Sequence, residues 1–562
     1  MSRKRRLSLV QLCCHANFLV LVGIALFFGV YPAVWVLWHL PDPAWRGPGM
    51  PQAAVAMHER LSPKLAEWAQ GRLASRTAGS LSQQDISGTE WPLFGSVFYL
   101  WSTQALQEAW ERGEVDTKPA PNIYAREAID ASLSLVLDEE HAAWVKKHWG
   151  PDYLKEENCF YRALLISAIA SHHRLTGDET HLPLLRQIVA DLAADIDVSP
   201  FGLIDDYPGE SYPTDVLMAV AAIRRADAAL GTDHSAFVDR AYRAFSGAAL
   251  DPLGLPPYRS FPRTGTSIVD GRGCGIGFMC VESLPLYPAA SRAWYAGFVE
   301  HFWQTRATAA GFREFPRGTP GVDWYIDVDA GPSIAGHGFA ATSTGLAAAR
   351  VQGSFAEAWP LAAELLVMSW PLPNGRLALP ALLSDLSNAP FLGESLVLYL
   401  MTRTPGGGVA TTPPGPLPPL VYILLASYVF CAAGVLLLAT LRLRAQRRSH
   451  FRWPQAQAAL WLVLAVVAIA TYFFGHGLPA LIPLLLGQLV PLSRKPREGA
   501  QREGECLHEP NSHPHSHPHP HPHPHPHPHP HPHPHPHPHA HEYMGMPRED
   551  APPSTPRPPA PR

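Results

Sequence analysis

The sequence predicts a mainly α fold: a closed (α/α)6 toroid of αα-hairpins, held outside a membrane by about four transmembrane helices. Three observations predict it. Segments with helical apolar spacing are broken by glycine at regular intervals, other apolar runs are long enough to cross a bilayer, and basic residues cluster on one side of those runs.

The 562 residues exceed one ordinary domain, and with 16% charged residues and a net charge of −4 nothing in the balance points to nucleic acid as a partner. Residues 1–17 form a short N-terminus carrying Arg3, Lys4, Arg5 and Arg6. Residues 18–40, FLVLVGIALFFGVYPAVWVLWHL, read as a retained anchor rather than a cleaved signal, because the run is too long and ends in Trp35 and Trp38, suited to a membrane interface. Further apolar runs cover 418–441, 456–474 and 478–492, the last short enough for a transmembrane or re-entrant helix. Arg442, Arg444, Arg447, Arg448 and Arg452 follow the second run, and SRKPR follows the fourth. With four spans all basic segments share one side. The expectation is a multi-pass protein of the cell (inner) membrane, with residues 41–417 extracytoplasmic, 493–562 a disordered cytoplasmic tail, and the lipid bilayer as a partner.

Within 41–417 one pattern recurs. ALLISAIASHHRL, TGD and ETHLPLLRQIVADLAADI form a helix, a break at Gly177 and a second helix. DVLMAVAAIRRADAAL–GTD–HSAFVDRAYRAF repeats it around Gly231, and GFAATSTGLAAARV–QGS–FAEAWPLAAELLVMSW around Gly353. PLYPAASRAWYAGFVEHFW supplies a turn near residue 290, and FGSVFYLWSTQALQEAW with PNIYAREAIDASLSLV an upstream pair. Hairpins every ~60 residues give about six of them, too long a period for the common solenoids.

In such a toroid every inner helix starts at one face. The segments leading into these helices are GTEWPLFG (88–95), EENCFYRA (156–163), IDDYPGESYPTD (204–215), TGTSIVDGRGCGIGFMCVES (264–283), VDWYIDVDAGPSIAGHG (322–338) and NAPFLGES (388–395). They are polar and aromatic, whereas the glycine breaks are short and plain, which places a pocket at the first face. Asp206, Glu210 and Asp215 are candidate acids and bases. Glu210 leads because no helix start explains it, while Asp215 also reads as an N-cap. Asp205 and Asp206, being adjacent, are not both expected to face inward. Asp327 and Asp329 alternate, so an extended backbone puts both on one side before Gly331 and Pro332 stop the strand; they read as catalytic or as a weak divalent-cation pair. His337, between glycines at a helix start, reads as a base or as an exposed turn residue. Arg272 suits a substrate carboxylate or phosphate, or an ion pair within its own loop. Trp91, Tyr161, Tyr207, Tyr212 and Trp324 complete the candidate substrate-binding set with Arg272. No cofactor or metal is expected in the barrel.

NCFYRALLISAIASHHRLTGD and IDDYPGESYPTD, with the hairpin pattern, resemble the linalool dehydratase/isomerase-like family, over about residues 90–400. The resemblance implies an (α/α)6 barrel and cofactor-independent addition or removal of water by acid/base residues in a hydrophobic pocket. The family's characterised enzyme type has two cysteines in the loop matching IDDYPGESYPTD; here Asp205 and Thr214 stand in their place.

Cys159, Cys274 and Cys280 are the cysteines of 41–417, an odd count with no disulfide framework, although a Cys274–Cys280 bridge stays open. From His513 to His541 a histidine fills every second position, fifteen in all and mostly alternating with proline. That tract reads either as a site for a divalent metal or as a repeat expansion. Two functions remain: a membrane-anchored lyase, isomerase or hydrolase acting on an alcohol/terpenoid-like or glycan substrate, and a non-catalytic ligand- or partner-binding membrane protein with a metal-binding tail.

Overall fold

The computed structural model describes residues 9–81, 86–306, 308–327, 329–447, 451–452, 460–467 and 493–494. Most of the expected spans 456–474 and 478–492, and the histidine–proline tail, lie outside the described residues. The described chain is mainly helical, with nineteen α-helices. Helix α1 (Leu9–Ala25) runs through a π-helical turn into α2 (Tyr31–His39), and α3 (Gln52–Ser75) and the single turn α4 (Thr77–Ser80) precede α5 (Ile86–Glu111). The short α6 (Pro121–Tyr124), α7 (Arg126–Val136) and α8 (Ala143–Trp149) lead to α9 (Cys159–Thr176), α10 (Leu182–Val198), α11 (Pro213–Leu230) and α12 (Ser235–Ala241). Strands β1 (Arg259–Ser260) and β2 (Ser267–Val269) pair before α13 (Gly273–Ser283) and α14 (Pro288–Phe302). Then come the hairpin β3 (Trp303–Arg306)–β4 (Ala309–Phe312) and a three-stranded sheet of β5 (Trp324–Asp327), β6 (Gly331–Ile334) and β7 (His337–Gly338). Helices α15 (Phe339–Val351), α16 (Phe355–Met368), α17 (Ala378–Leu386), α18 (Leu392–Thr402) and α19 (Pro419–Arg447) complete the helical order.

The recurring glycines end helices as their sequence context requires. Gly177, Gly231 and Gly353 all adopt positive φ just after a helix, a conformation that costs any residue with a Cβ. The pairs they define are α9–α10, α11–α12 and α15–α16. Helix α5 packs on α9, α9 on α11, α11 on α13, α13 on α15, α15 on α18, and α18 returns to α5. Helices α3, α7, α10, α14 and α16 each pack against one or more of these six. Composition follows position. In α9 every residue from Cys159 to His172 is buried, the signature of a helix enclosed on all sides, whereas α10 buries one stripe, Leu185, Ile188, Val189, Leu192, Ala193 and Ile196.

Aromatic side chains meet between these helices. Phe98 on α5 meets Phe278 on α13 at 6.4 Å between ring centroids and Tyr399 on α18 at 4.9 Å; Phe94 meets Phe160 on α9 at 5.3 Å. Two helical stretches, His15–His39 and Pro419–Arg444, are long and apolar enough to cross a membrane. They touch at Gly29, where a Cβ would stand 2.7 Å from that of Ala432.

The structure corrects five local expectations. GTEWPLFG is not a loop but part of α5, despite Pro92. Proline cannot donate to the carbonyl four residues back, and here Arg72 donates to the Gly88 carbonyl instead, so the helix loses little. Likewise GCGIGFMCVES is helical. Gly331 and Pro332 do not end the strand-like segment: Gly331, at φ 63, turns the chain into β6, which pairs back on β5. His337 lies in β7, two residues ahead of its helix, and Asp215 is the third residue of α11, whose N-cap is Tyr212.

Candidate active site

Four carboxylates converge where the enclosed helices begin. Glu90 is in the second turn of α5, Asp206 in the loop before α11, Asp215 in the first turn of α11, and Asp329 in the β5–β6 turn. Asp206 is buried, and its Oδ1 accepts from the Phe160 N–H at the start of α9 at 3.1 Å. A helix N-terminus favours the charged form, but burial outweighs it, and with the nearby charges of Glu210 and Asp205 the Asp206 carboxyl is held above its ordinary range. Burial first, then the charge of Asp206, pushes Glu90 up, against a 2.7 Å hydrogen bond donated by the Tyr207 hydroxyl. Asp215 is raised well above the usual carboxylate range by burial and then by Asp206, Glu90 and Asp329. Like charges in one desolvated site cannot all ionise, so the group retains protons near neutrality. Glu90 and Asp215 nevertheless keep part of their surface accessible.

Beside these acids lies a second network. Arg272 is buried, its Nε donating to Glu314 Oε1 at 2.8 Å and its Nη2 forming a 2.7 Å ion pair with Asp327. The guanidinium stacks 4.7 Å from the Tyr258 ring and 5.3 Å from Phe315. Burial pushes Glu314 up to about 6 although Arg272 pulls it down. Cys274 Sγ donates to Glu314 Oε1 at 3.0 Å, and burial followed by the Glu314 charge raises the thiol well above its ordinary value. Tyr258 donates to Asp329, which links the two networks. The glycines of VDGRGCGIG have a packing reason: a Cβ at Gly273 would stand 2.1 Å from the Arg313 carbonyl oxygen, and one at Gly277 2.4 Å from Thr344 Oγ1.

Of the candidate residues, Asp206, Asp215, Asp329 and Tyr207 meet in this site, with Arg272 and Asp327 bordering it. Of the two neighbours, Asp206 faces inward, while Asp205 Oδ2 accepts from Gly209 N at 2.7 Å and holds the turn. Glu210 is half-exposed beyond that turn, accepting from the Tyr212 hydroxyl at 2.6 Å, with Arg259 at 3.8 Å. Tyr212 packs edge-on to Tyr258 at 5.4 Å. Trp91 is half-buried beside Glu90. Tyr161 points away, donating to the Val136 carbonyl at 3.2 Å between α7 and α9. Trp324 lies on the outward face of β5, 74% exposed. His337 faces Arg306 and Arg313, whose charges add to burial in lowering its pKa, and takes no part in the acid group. Cys274 and Cys280 are free thiols in one helix. Among the described residues no group of three or more His, Cys, Asp or Glu side chains is arranged to hold a metal ion.

Sequence reasoning missed Glu90, Tyr258, Cys274 and Glu314. Glu90 adjoins Trp91 in a segment already singled out, and Cys274 lies in the glycine-rich one. Glu314, in REFPRG, carries no local signal.

No protein-family model matches this chain, and no curated protein matches it.

Proposed function

We propose that this chain is a membrane-anchored enzyme in which α5, α9, α11, α13, α15 and α18 form the inner ring of an (α/α)6 toroid, and that the acids at its mouth perform lyase or isomerase chemistry on an apolar alcohol. The observation that carries the reading is the desolvated carboxyl cluster of Glu90, Asp206 and Asp215, with Phe94 one turn beyond Glu90 on α5 and packed on Phe98 and Phe278. The unbroken succession of helix contacts, α18 returning to α5, supports the toroid. The resemblance to the linalool dehydratase/isomerase-like family implies the same class of reaction.

A carboxyl whose pKa is raised is a proton donor at neutral pH, and an ionised neighbour is an acceptor. The donor protonates the substrate hydroxyl, the C–O bond breaks with its electron pair, and water leaves. An ionised carboxylate then removes a proton from the adjacent carbon, whose C–H electrons become the new double bond. One acid has lost a proton and another has gained one, so transfer within the group restores the start. Aromatic walls suit the electron-poor carbon this creates.

The test is to incubate the full-length protein in deuterated water with a panel of tertiary and allylic alcohols and to analyse alkene and recovered alcohol by mass spectrometry. Product formation with solvent deuterium in the recovered alcohol, lost in Glu90→Gln and Asp215→Asn, is expected. An active wild-type protein whose turnover survives both substitutions would refute this assignment.

A further inference from the structure

The end of the molecule that carries the acids is also the end from which the apolar helices depart. Helix α16 ends at Met368, and there Trp370 Nε1 donates to the Phe28 carbonyl at 3.1 Å while the Tyr428 hydroxyl donates to that of Val367. Below that level both apolar segments run along the flank of α16. The Arg46 guanidinium lies 4.7 Å from the Trp359 ring, and Thr412 N donates to the Gly353 carbonyl at 2.9 Å. Beyond it, Leu9–Phe28 continues for about 29 Å at helical rise, close to the hydrocarbon thickness of a bilayer, and Tyr428–Leu441, which ends before Arg442, for about 20 Å. Since α15 and α16 are joined by a tight turn at Gly353, α16 ends where α15 begins. Thr344 Oγ1 donates to the Cys274 carbonyl at 3.0 Å, so α15 and α13 begin together, beside the acids.

The connections at this end expose apolar side chains. On β5–β6, Trp324 pairs with Ile334 across the hairpin, and with Ile326 they cover one face, Trp324 and Ile326 each 74% exposed. On α17, Leu382, Leu383 and Leu386 are exposed, the last at 77%. Exposed apolar surface of this kind calls for a covering partner. The hairpin is physically tied to a departing helix: Arg306 donates to the Ala335 carbonyl at 2.7 Å and pairs with Asp323 at 3.1 Å, and two residues on the Thr308 carbonyl accepts from Leu420 N at 2.8 Å, at the start of α19.

We propose that this end of the protein lies on the bilayer surface, with Trp324, Ile326, Ile334 and the α17 leucines entering lipid, so that the acids open toward the membrane and take a lipid-dissolved molecule. The inference rests on α1 and the part of α19 beyond Tyr428 being membrane spans, and it deepens the proposed function by giving the substrate its source.

Full-length protein in phosphatidylcholine vesicles, with Cys13, Cys14, Cys431 and Cys506 replaced by serine, would carry one nitroxide through Ile326→Cys, Leu386→Cys, Phe430→Cys or Asp233→Cys. Collision rates with oxygen and with a water-soluble nickel chelate locate each label. Oxygen preference several-fold above that of residue 233, at 326 and 386 as well as at 430, is the expected result. Water-like values at 326 and 386 with a lipid value at 430 would overturn the docking while leaving the spans in place. A water-like value at 430 would overturn both. Shielding of 326 from both reagents with dipolar broadening between copies would show a second protein copy on the face, and would also overturn it.

Discussion

Replacing Arg272 with methionine removes the one guanidinium that faces Glu314 and Asp327, and its consequences follow from the geometry. Glu314 is fully buried and Arg272 nearly so, and their 2.8 Å contact is a buried ion pair. Breaking such a pair by deleting one partner costs about 3–5 kcal/mol, because the remaining charge is left without compensation. Glu314 has an escape, since it can take up a proton. With Arg272 present its folded-state pKa is already about 6, above the usual 4.5. Without the cation it rises further. A carboxyl whose folded pKa is raised loses its stabilising contribution as pH rises through that value, so the deficit of Arg272→Met is smaller near pH 5 and larger near pH 8. At about 1.4 kcal/mol per pH unit above the wild-type value, the difference reaches up to about 2.7 kcal/mol. Thermal unfolding of purified wild type, Arg272→Met and Arg272→Met/Glu314→Gln at the two pH values is the assay. The double variant, whose glutamine carries no charge, should recover most of the loss near pH 8. Equal deficits at both pH values, or a double variant no better than the single, would refute the reasoning.

Other outcomes follow from the same contacts. Asp215→Asn removes a carboxyl that folding must keep protonated, a cost that grows as pH rises above its unfolded value, so thermal stability near pH 8 should rise while activity is lost; a fall in melting temperature contradicts the charge crowding. Gly277→Ala drives a methyl group toward Thr344 Oγ1 and the Gly345 backbone at the α13–α15 crossing, and should destabilise by about 1–3 kcal/mol in thermal melts, whereas Ala at the open Gly434 should not by this route. Cys274, its thiol pKa raised by burial and Glu314, should resist iodoacetamide near pH 8 in peptide mapping, and Glu314→Gln should speed its alkylation.

The helical pairs were legible because their signals are local. A glycine that must adopt positive φ and an apolar run of helical period lie within one stretch of chain, as at Gly177 and Gly231. The acid group was legible only in part. IDDYPGESYPTD advertised its carboxylates, but which face inward depends on the turn from Tyr207 to Glu210, whose backbone pairing leaves Asp206 inside and Glu210 half-exposed. Glu90 was hidden because Pro92 makes its segment read as a loop, and the Arg72 side chain that rescues the helix comes from α3. Glu314 and Arg272 are 42 residues apart, and the pair exists only once the end of β4 crosses the start of α13. Trp324 and Ile326 alternate with Tyr325 and Asp327, yet alternation alone does not say which face is covered.

The central claim is that carboxyls at the start of the enclosed helices stay protonated at neutral pH, and infrared difference spectroscopy reads this without a substrate. Spectra of the full-length protein between about pH 5 and pH 9 should show a protonated-carboxyl stretch that persists at pH 7 and weakens in Glu90→Gln, Asp206→Asn and Asp215→Asn. A wild-type spectrum with no protonated carboxyl at pH 7, or a band unchanged in all three variants, would contradict the account.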